Sequence, residues 1–77
     1  MKYLFLVYHS PDCSEYGNLF NVIAENDSEC LDVILNNPES DYTILIDEES
    51  LEQDVVNAKR FALSENLNSQ LVNHLST

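Results

Sequence analysis

Glycine is nearly absent from this chain, and its scarcity excludes a whole class of binding site. The single glycine, Gly17, cannot build the glycine-rich loops that cradle phosphates in nucleotide-binding proteins. Two cysteines, Cys13 and Cys30, are too few for a secreted disulfide framework and favour a reducing cytoplasm. No apolar run approaches the roughly 20 residues of a membrane span, and the short run after Met1 lacks the cleavage site of a signal peptide.

Basic residues are almost as scarce as glycine. Lys2, Lys59 and Arg60 stand against fourteen acids, which gives a net charge of −11. Direct binding to nucleic acid or to an anionic membrane is not expected, because phosphate groups are neutralised by clusters of lysine and arginine. The same charge would attract a basic protein surface.

The chain does have enough apolar sequence for one small core. With 77 residues, 44% of them hydrophobic, we expect a single folded domain over residues 1–77. The pattern predicts an α+β fold of order ββαβα. Strands are expected at about 2–9, 18–24 and 42–46, a short helix through 30–35, a long helix from the capping box at 50–53 through 62, and a helical tail over about 64–77.

The first strand is apolar on both faces, which places it at the centre of a sheet. We therefore expect a three-stranded, mainly antiparallel sheet of order 2-1-3, with both helices packed on one face in a two-layer domain. Half of the apolar residues of the first strand would then face water. The C-terminal segment, a second copy of the chain or another partner should cover them.

The most informative feature is a cluster of seven acids within sixteen residues, with no basic residue among them. Its members are Glu39, Asp41, Asp47, Glu48, Glu49, Glu52 and Asp54. This density of charge approaches that of a nucleic-acid backbone, so we interpret the cluster as a surface that binds a basic partner. The alternative is that acids at a helix N-terminus complement its macrodipole and keep a small protein in solution.

Metal and enzyme sites are weaker interpretations of the same sequence. The acids lack the twelve-residue loop and the glycine of a calcium-binding EF-hand. His9, Asp12 and Cys13 lie near the first turn, and Cys30 with His74 would complete a zinc site, but paired ligand spacing is absent. We expect no catalytic residue, no metal and no cofactor.

The C-terminal leucines are the other candidate interface. Leu67, Leu71 and Leu75 recur at intervals of four among uncharged polar residues, a pattern typical of an amphipathic helix. Such a stripe covers the protein's own core or docks against a groove or a second copy.

In size, acidity and glycine-poor compactness, the chain resembles the small acidic proteins that bacteriophages encode against host defence, such as anti-CRISPR and anti-restriction proteins that mimic DNA. The resemblance implies activity in the host cytoplasm; it rests on no shared motif and assigns a role to no residue. We therefore expect a non-enzymatic inhibitor or regulator that occupies a basic, nucleic-acid-binding surface of another protein. The alternative is a structural or adaptor domain that binds or dimerises through its apolar sheet face and leucine stripe.

Overall fold

The computed structural model describes residues 1–10, 17–36 and 47–76. Within these ranges the chain forms a four-stranded antiparallel sheet and two helices, a small α+β fold. In chain order the elements are β1 (Tyr3–His9), β2 (Asn18–Ala24), α1 (Asp27–Leu35), α2 (Glu48–Val56), β3 (Lys59–Ala62) and β4 (Gln70–Ser76). The strand predicted over 42–46 lies outside the described residues.

The first two strands form the centre of the sheet, as predicted for β1, whereas the predicted order 2-1-3 placed β2 at an edge. β1 pairs antiparallel with β2 in a register that places Tyr3 opposite Ala24. Alternate residues of each strand point to the helices because side chains alternate between the two faces of a sheet. Six of those side chains are fully buried: Phe5, Val7, His9, Phe20, Val22 and Ala24.

Both helices contribute to one core on this face of the sheet. The residues that they bury are Cys30 and Ile34 from α1 and Leu51 and Val55 from α2. A side chain the size of Ile34 or Leu51 stabilises the fold by about 1.5–3 kcal/mol when it moves from water into such a core. Both described helices thus pack on the same face of the sheet.

Helix α1 contains the helix predicted through 30–35 and begins three residues before that range. Asn26 is the N-cap, and its side-chain oxygen accepts a hydrogen bond from the backbone N–H of Glu29 at 2.8 Å. This bond satisfies one of the backbone donors that have no partner inside the helix. At the other end, the N–H of Asn36 donates to the carbonyl of Asp32 at 2.9 Å.

Helix α2 is shorter than the predicted helix and begins three residues earlier. Its N-cap is Asp47, whose carboxylate accepts from the backbone N–H of Ser50 at 3.4 Å, so Ser50 lies within the first turn. The helix ends at Val56, and Asn57 is the C-cap. Residues that continue the helical pattern, such as Phe61, belong to β3 instead. In β3 these residues form backbone hydrogen bonds with β1, whereas in a longer helix they would not pair with the sheet.

The prediction of three strands in order 2-1-3, followed by a helical tail, is wrong. The sheet has the order β3-β1-β2-β4, and all three pairings are antiparallel. Both edge strands come from the segment that the sequence placed in helices. β1 nevertheless lies inside the sheet, between β3 and β2, as its two apolar faces require.

A β-bulge in β4 explains why leucines at intervals of four do not share one face. Leu71 lies opposite Val22 and packs against the core, whereas Asn73 lies opposite Asn21. Val72 is therefore the extra residue of a bulge, which shifts the alternation of side chains. As a result Leu75, four residues after Leu71, points to the other face of the sheet.

The segment between β3 and β4 crosses one end of the sheet and is fixed there by Lys2. The backbone N–H of Leu63 donates to the carbonyl of Lys2 at 3.0 Å. The Lys2 ammonium donates to the hydroxyl of Ser69 and lies 3.6 Å from the Glu29 carboxylate, which accepts from the same hydroxyl. One cation thus connects β1, α1 and the crossing segment.

Arg60 connects β3 with both helices. Its guanidinium lies 4.5 Å from the centre of the Phe5 ring and forms an ion pair with Asp27 at the start of α1. It also donates to the carbonyls of Val55 and Val56, at 3.1 and 3.3 Å. These carbonyls lie at the C-terminus of α2, where a cation complements the helix dipole.

Candidate functional site

Three members of the acidic cluster form an exposed surface on α2. Glu48 and Glu49 lie in its first turn and Glu52 lies one turn further on, all of them exposed. Within the described residues, no ion pair involves any of these three carboxylates. We call Glu48, Glu49 and Glu52 the acidic helix surface. Glu39 and Asp41, predicted to belong with them, lie outside the described residues.

The other two members of the cluster on this helix have structural roles. Asp47 caps α2. Asp54 turns back to the sheet, where its carboxylate lies 2.9 Å from Nδ1 of His9, a side chain with no solvent exposure. The backbone N–H of Asp47 points at Nε2 of the same ring, at 3.4 Å. Nε2 therefore accepts, and the ring donates from Nδ1–H to Asp54.

None of the basic side chains of the described residues forms an ion pair with the acidic helix surface. Lys2 pairs with Glu25 and Glu29 beside α1, and Arg60 pairs with Asp27. Lys59 lies on an edge strand. The carboxylates of the acidic helix surface thus remain available to an external cation.

Charge is segregated between the two layers of the fold. None of the four strands contains an aspartate or a glutamate, whereas α1 and α2 together with their caps carry most of the described acids. The sheet carries Lys59 and Arg60, so its formal charge is positive. A basic partner would therefore be attracted to the helix layer and not to the sheet.

A groove runs between α1 and α2 beside the acidic helix surface. It has a volume of about 390 Å³ and is lined by the apolar side chains of Leu31, Val55 and Val56 together with Asp27, Ser28 and Glu52. An arginine or lysine side chain has a matching character, because it combines an apolar stem with a charged head. The groove can hold the stem while Glu52 faces the head.

The structure disperses the residues considered for catalysis or for zinc. His9 is fully buried against Asp54, and His74 stacks on Phe20 with a ring separation of 4.8 Å. Cys30 is buried in the core under α1. Across the described residues, no group of three or more histidine, cysteine or acidic side chains is placed to hold a metal ion. Asp12 and Cys13 lie outside those residues.

Burial makes Cys30 unsuitable as a nucleophile. Desolvation by burial, assisted by the negative charge of Asp27 and opposed by the positive charge of Arg60, raises the pKa of the Cys30 thiol from 9.0 to about 12. The thiolate is the reactive form of cysteine, and it is scarce at neutral pH when the pKa is this high.

The raised pKa of Cys30 predicts that stability declines in alkali. The unfolded thiol ionises from pH 9.0, whereas the folded thiol stays protonated until about pH 12, so the full stability is present below pH 9.0 and is lost as the pH rises towards 12. The expected slope is up to about 1.4 kcal/mol per pH unit. Urea denaturation of the native chain and of Cys30→Ala between pH 8 and 11 measures this slope. The difference between the two free energies of unfolding cancels the contribution of tyrosine and lysine ionisation. If the free energies of both proteins changed with pH in the same way, the raised pKa of Cys30 would be contradicted.

The predicted leucine interface is not one surface. Leu71 is partly buried and packs against the core, whereas Leu67 and Leu75 are exposed, at 38% and 53%. Leu67 lies in the segment that crosses the end of the sheet, and Leu75 lies on β4. The helical stripe predicted from their spacing does not exist because the residues belong to a loop and a bulged strand.

Sequence reasoning missed the contribution of Arg60, because its neighbours in the chain indicated a helix. Residues 59–62 read polar, polar, apolar, apolar and lack the alternation that would have indicated a strand.

No helix in the described part of the chain is both long enough and apolar enough to span a bilayer. The comparisons with known proteins found no family model, no curated protein and no solved structure that matches this chain.

Proposed function

We propose that this chain is a non-enzymatic regulator whose acidic helix surface binds a basic surface on another protein, at a site where that protein binds nucleic acid. The observation that supports the proposal is the set of three exposed carboxylates, Glu48, Glu49 and Glu52, without an ion pair among the described residues. If the acids served only to stabilise α2 through its dipole, acids in the first turn would be enough, because the effect falls off beyond that turn. Glu52 lies beyond that turn and borders an apolar groove.

The spacing of these carboxylates suits a groove that accommodates phosphates. Residues 48–52 span about 6 Å of helix axis, so the three carboxylates lie on average about 3 Å apart along it. Duplex DNA carries one charge per roughly 1.7 Å of axis. Lysine and arginine side chains arranged for a nucleic-acid backbone would therefore meet a line of negative charge on α2 that is roughly half as dense as that backbone.

The groove between the helices adds an apolar contact that a nucleic-acid backbone does not offer. Leu31, Val55 and Val56 can receive the stem of a long basic side chain. Removing that stem from water adds affinity that salt does not screen. The partner is accordingly a protein with an arginine or lysine that projects from its basic surface.

The test is competition between this chain and nucleic acid for the same protein. The partner is captured from the cells that produce the chain and loaded with a fluorescent duplex, and fluorescence anisotropy follows the titration with the chain. We expect stoichiometric displacement of the duplex, and an affinity that falls by at least roughly tenfold between about 50 and 200 mM salt. A partner that retains its duplex at saturation, or an affinity that salt does not change, would overturn the proposal.

A further inference from the structure

The sheet has a second face that the core does not use. Its exposed and half-buried apolar side chains are Leu4, Leu6, Tyr8, Leu19, Phe61 and Leu75, placed there by the strand registers, which also place the buried Ile23 on this face. None of them belongs to the core or packs against it. We call these six side chains the open face. Both helices of the described chain lie on the other side of the sheet.

The open face exposes large side chains to water. Tyr8, Phe61 and Leu75 are each more than half exposed, at 55%, 52% and 53%. They lie on three different strands, so the exposed surface extends across the sheet rather than along one edge. Contiguous apolar patches of more than a few hundred Å² are uncommon on monomeric proteins and mark interaction sites.

The charge of the open face determines which partner it fits. Lys59 is the one charged residue that the registers of the described strands place on this side of the sheet, and no acid accompanies it. A basic partner would gain no ion pair here. The face instead suits a surface that is itself apolar and nearly uncharged, and an identical open face meets that description.

We propose that two copies of this chain associate through their open faces, as a two-fold sheet-on-sheet dimer. Packed sheets lie about 10 Å apart, and each helix layer lies about 10 Å outside its sheet. The two acidic helix layers are then about 30 Å apart, several times the Debye length of about 8 Å at physiological salt. A dimer through the helices would instead bring two sets of acids together.

The area of the sheet fits a weak, reversible dimer. Four strands about 4.8 Å apart and up to seven residues long give roughly 400 Å² in plan for each copy. Projecting side chains make the accessible area larger than the plan area. Two copies together give roughly 800 Å² in plan, below the roughly 1,200 Å² at the lower end of stable interfaces, so the dimer belongs to the weak class. The symmetry is that of most small homodimers, because one patch on each copy contacts the same patch on the other.

Sedimentation velocity tests the dimer, with two variants matched in exposure. Leu75→Lys places a charge in the open face, and Val56→Lys places one on the helix layer, at positions that are 53% and 52% exposed. Over about 1 µM to 1 mM protein, we expect a dimer for the native chain and for Val56→Lys, and at least a tenfold weaker dimer for Leu75→Lys. Tyr8→Lys should act as Leu75→Lys does. Circular dichroism melting of each variant confirms that the fold is intact.

Several outcomes would overturn the dimer. A native chain that sediments as a monomer throughout, or a dimer that neither Leu75→Lys nor Tyr8→Lys weakens, excludes association through this face. A monomer whose open face captures a different apolar protein also excludes the second copy as its occupant. The proposal is independent of the acidic helix surface, and salt separates the two: rising salt should strengthen the dimer slightly by screening repulsion, and should weaken binding to a basic partner.

Discussion

The triple variant Glu48→Lys, Glu49→Lys and Glu52→Lys should bind the basic partner at least about 100-fold more weakly than the native chain. Each reversal replaces an attraction with a repulsion, and like charges brought together at an interface cost several kcal/mol. Since about 1.4 kcal/mol corresponds to a tenfold change in affinity, three reversals on one helix are sufficient for this loss. Titration calorimetry with the captured partner measures it.

A matched control separates local charge from total charge. Glu65 is an exposed acid in the segment between β3 and β4, away from α2. Glu65→Lys changes the net charge by the same two units as Glu49→Lys, so the two single variants differ only in the position of the charge. We expect a clear loss of affinity for Glu49→Lys and almost none for Glu65→Lys. Equal losses would mean that the overall charge attracts the partner and that α2 is not its binding surface.

Arg60→Ala should destabilise the fold by about 2–4 kcal/mol, a large fraction of the stability of so small a domain. The variant loses the contact with the Phe5 ring and leaves the carbonyls of Val55 and Val56 without their donor. A cation over an aromatic ring contributes about 0.5–2 kcal/mol, and each hydrogen bond contributes about 1 kcal/mol. The ion pair with Asp27 adds little because both side chains are partly exposed.

Thermal denaturation measures this loss as a fall in melting temperature of at least about 10 °C. Arg60→Lys keeps the charge but lacks the planar fork that reaches two carbonyls at once, so it should recover less than half of the difference. Lys59→Ala is the control, because Lys59 is exposed on the opposite side of the same strand. A melting temperature of Arg60→Ala within a few degrees of the native value would show that the contacts of Arg60 are not stabilising.

The first half of the chain was predictable because its local signals agree with each other. β1 and β2 are rich in strand-forming residues, and the polar residues near Asn26 and Asn36 bound α1 as expected. Hydrophobic pattern, propensity and caps all favour one structure there, which is the condition under which a sequence specifies its fold locally.

The second half of the chain was predicted wrongly because apolar residues four positions apart fit both a helix and a strand. Leu67, Leu71 and Leu75 satisfy a helix, but four is also a multiple of the two-residue repeat of a strand. Asn, Ser and His between these leucines are weak helix formers, and this composition was the signal in favour of a strand. The bulge at Val72 depends on the pairing with β2 and cannot be read from β4 alone.

The acidic site was predictable as a region but not residue by residue. Asp54 and Glu52 look alike in the sequence, yet Asp54 contacts a histidine 45 positions away and Glu52 faces solvent. Only the tertiary fold, which brings His9 under α2, separates the carboxylate with a structural contact from the carboxylates that remain available.

The positions of β3 and β4 on opposite edges of the sheet have a consequence for how the protein folds. The hairpin of β1 and β2 forms from neighbouring segments, but each of its edges is completed by a strand from the far end of the sequence. Closing such long loops is slow, so we expect folding in milliseconds to seconds rather than microseconds. Until β3 and β4 arrive, the hairpin presents two unpaired edges to other chains, and its aggregation should therefore depend on how long that interval lasts.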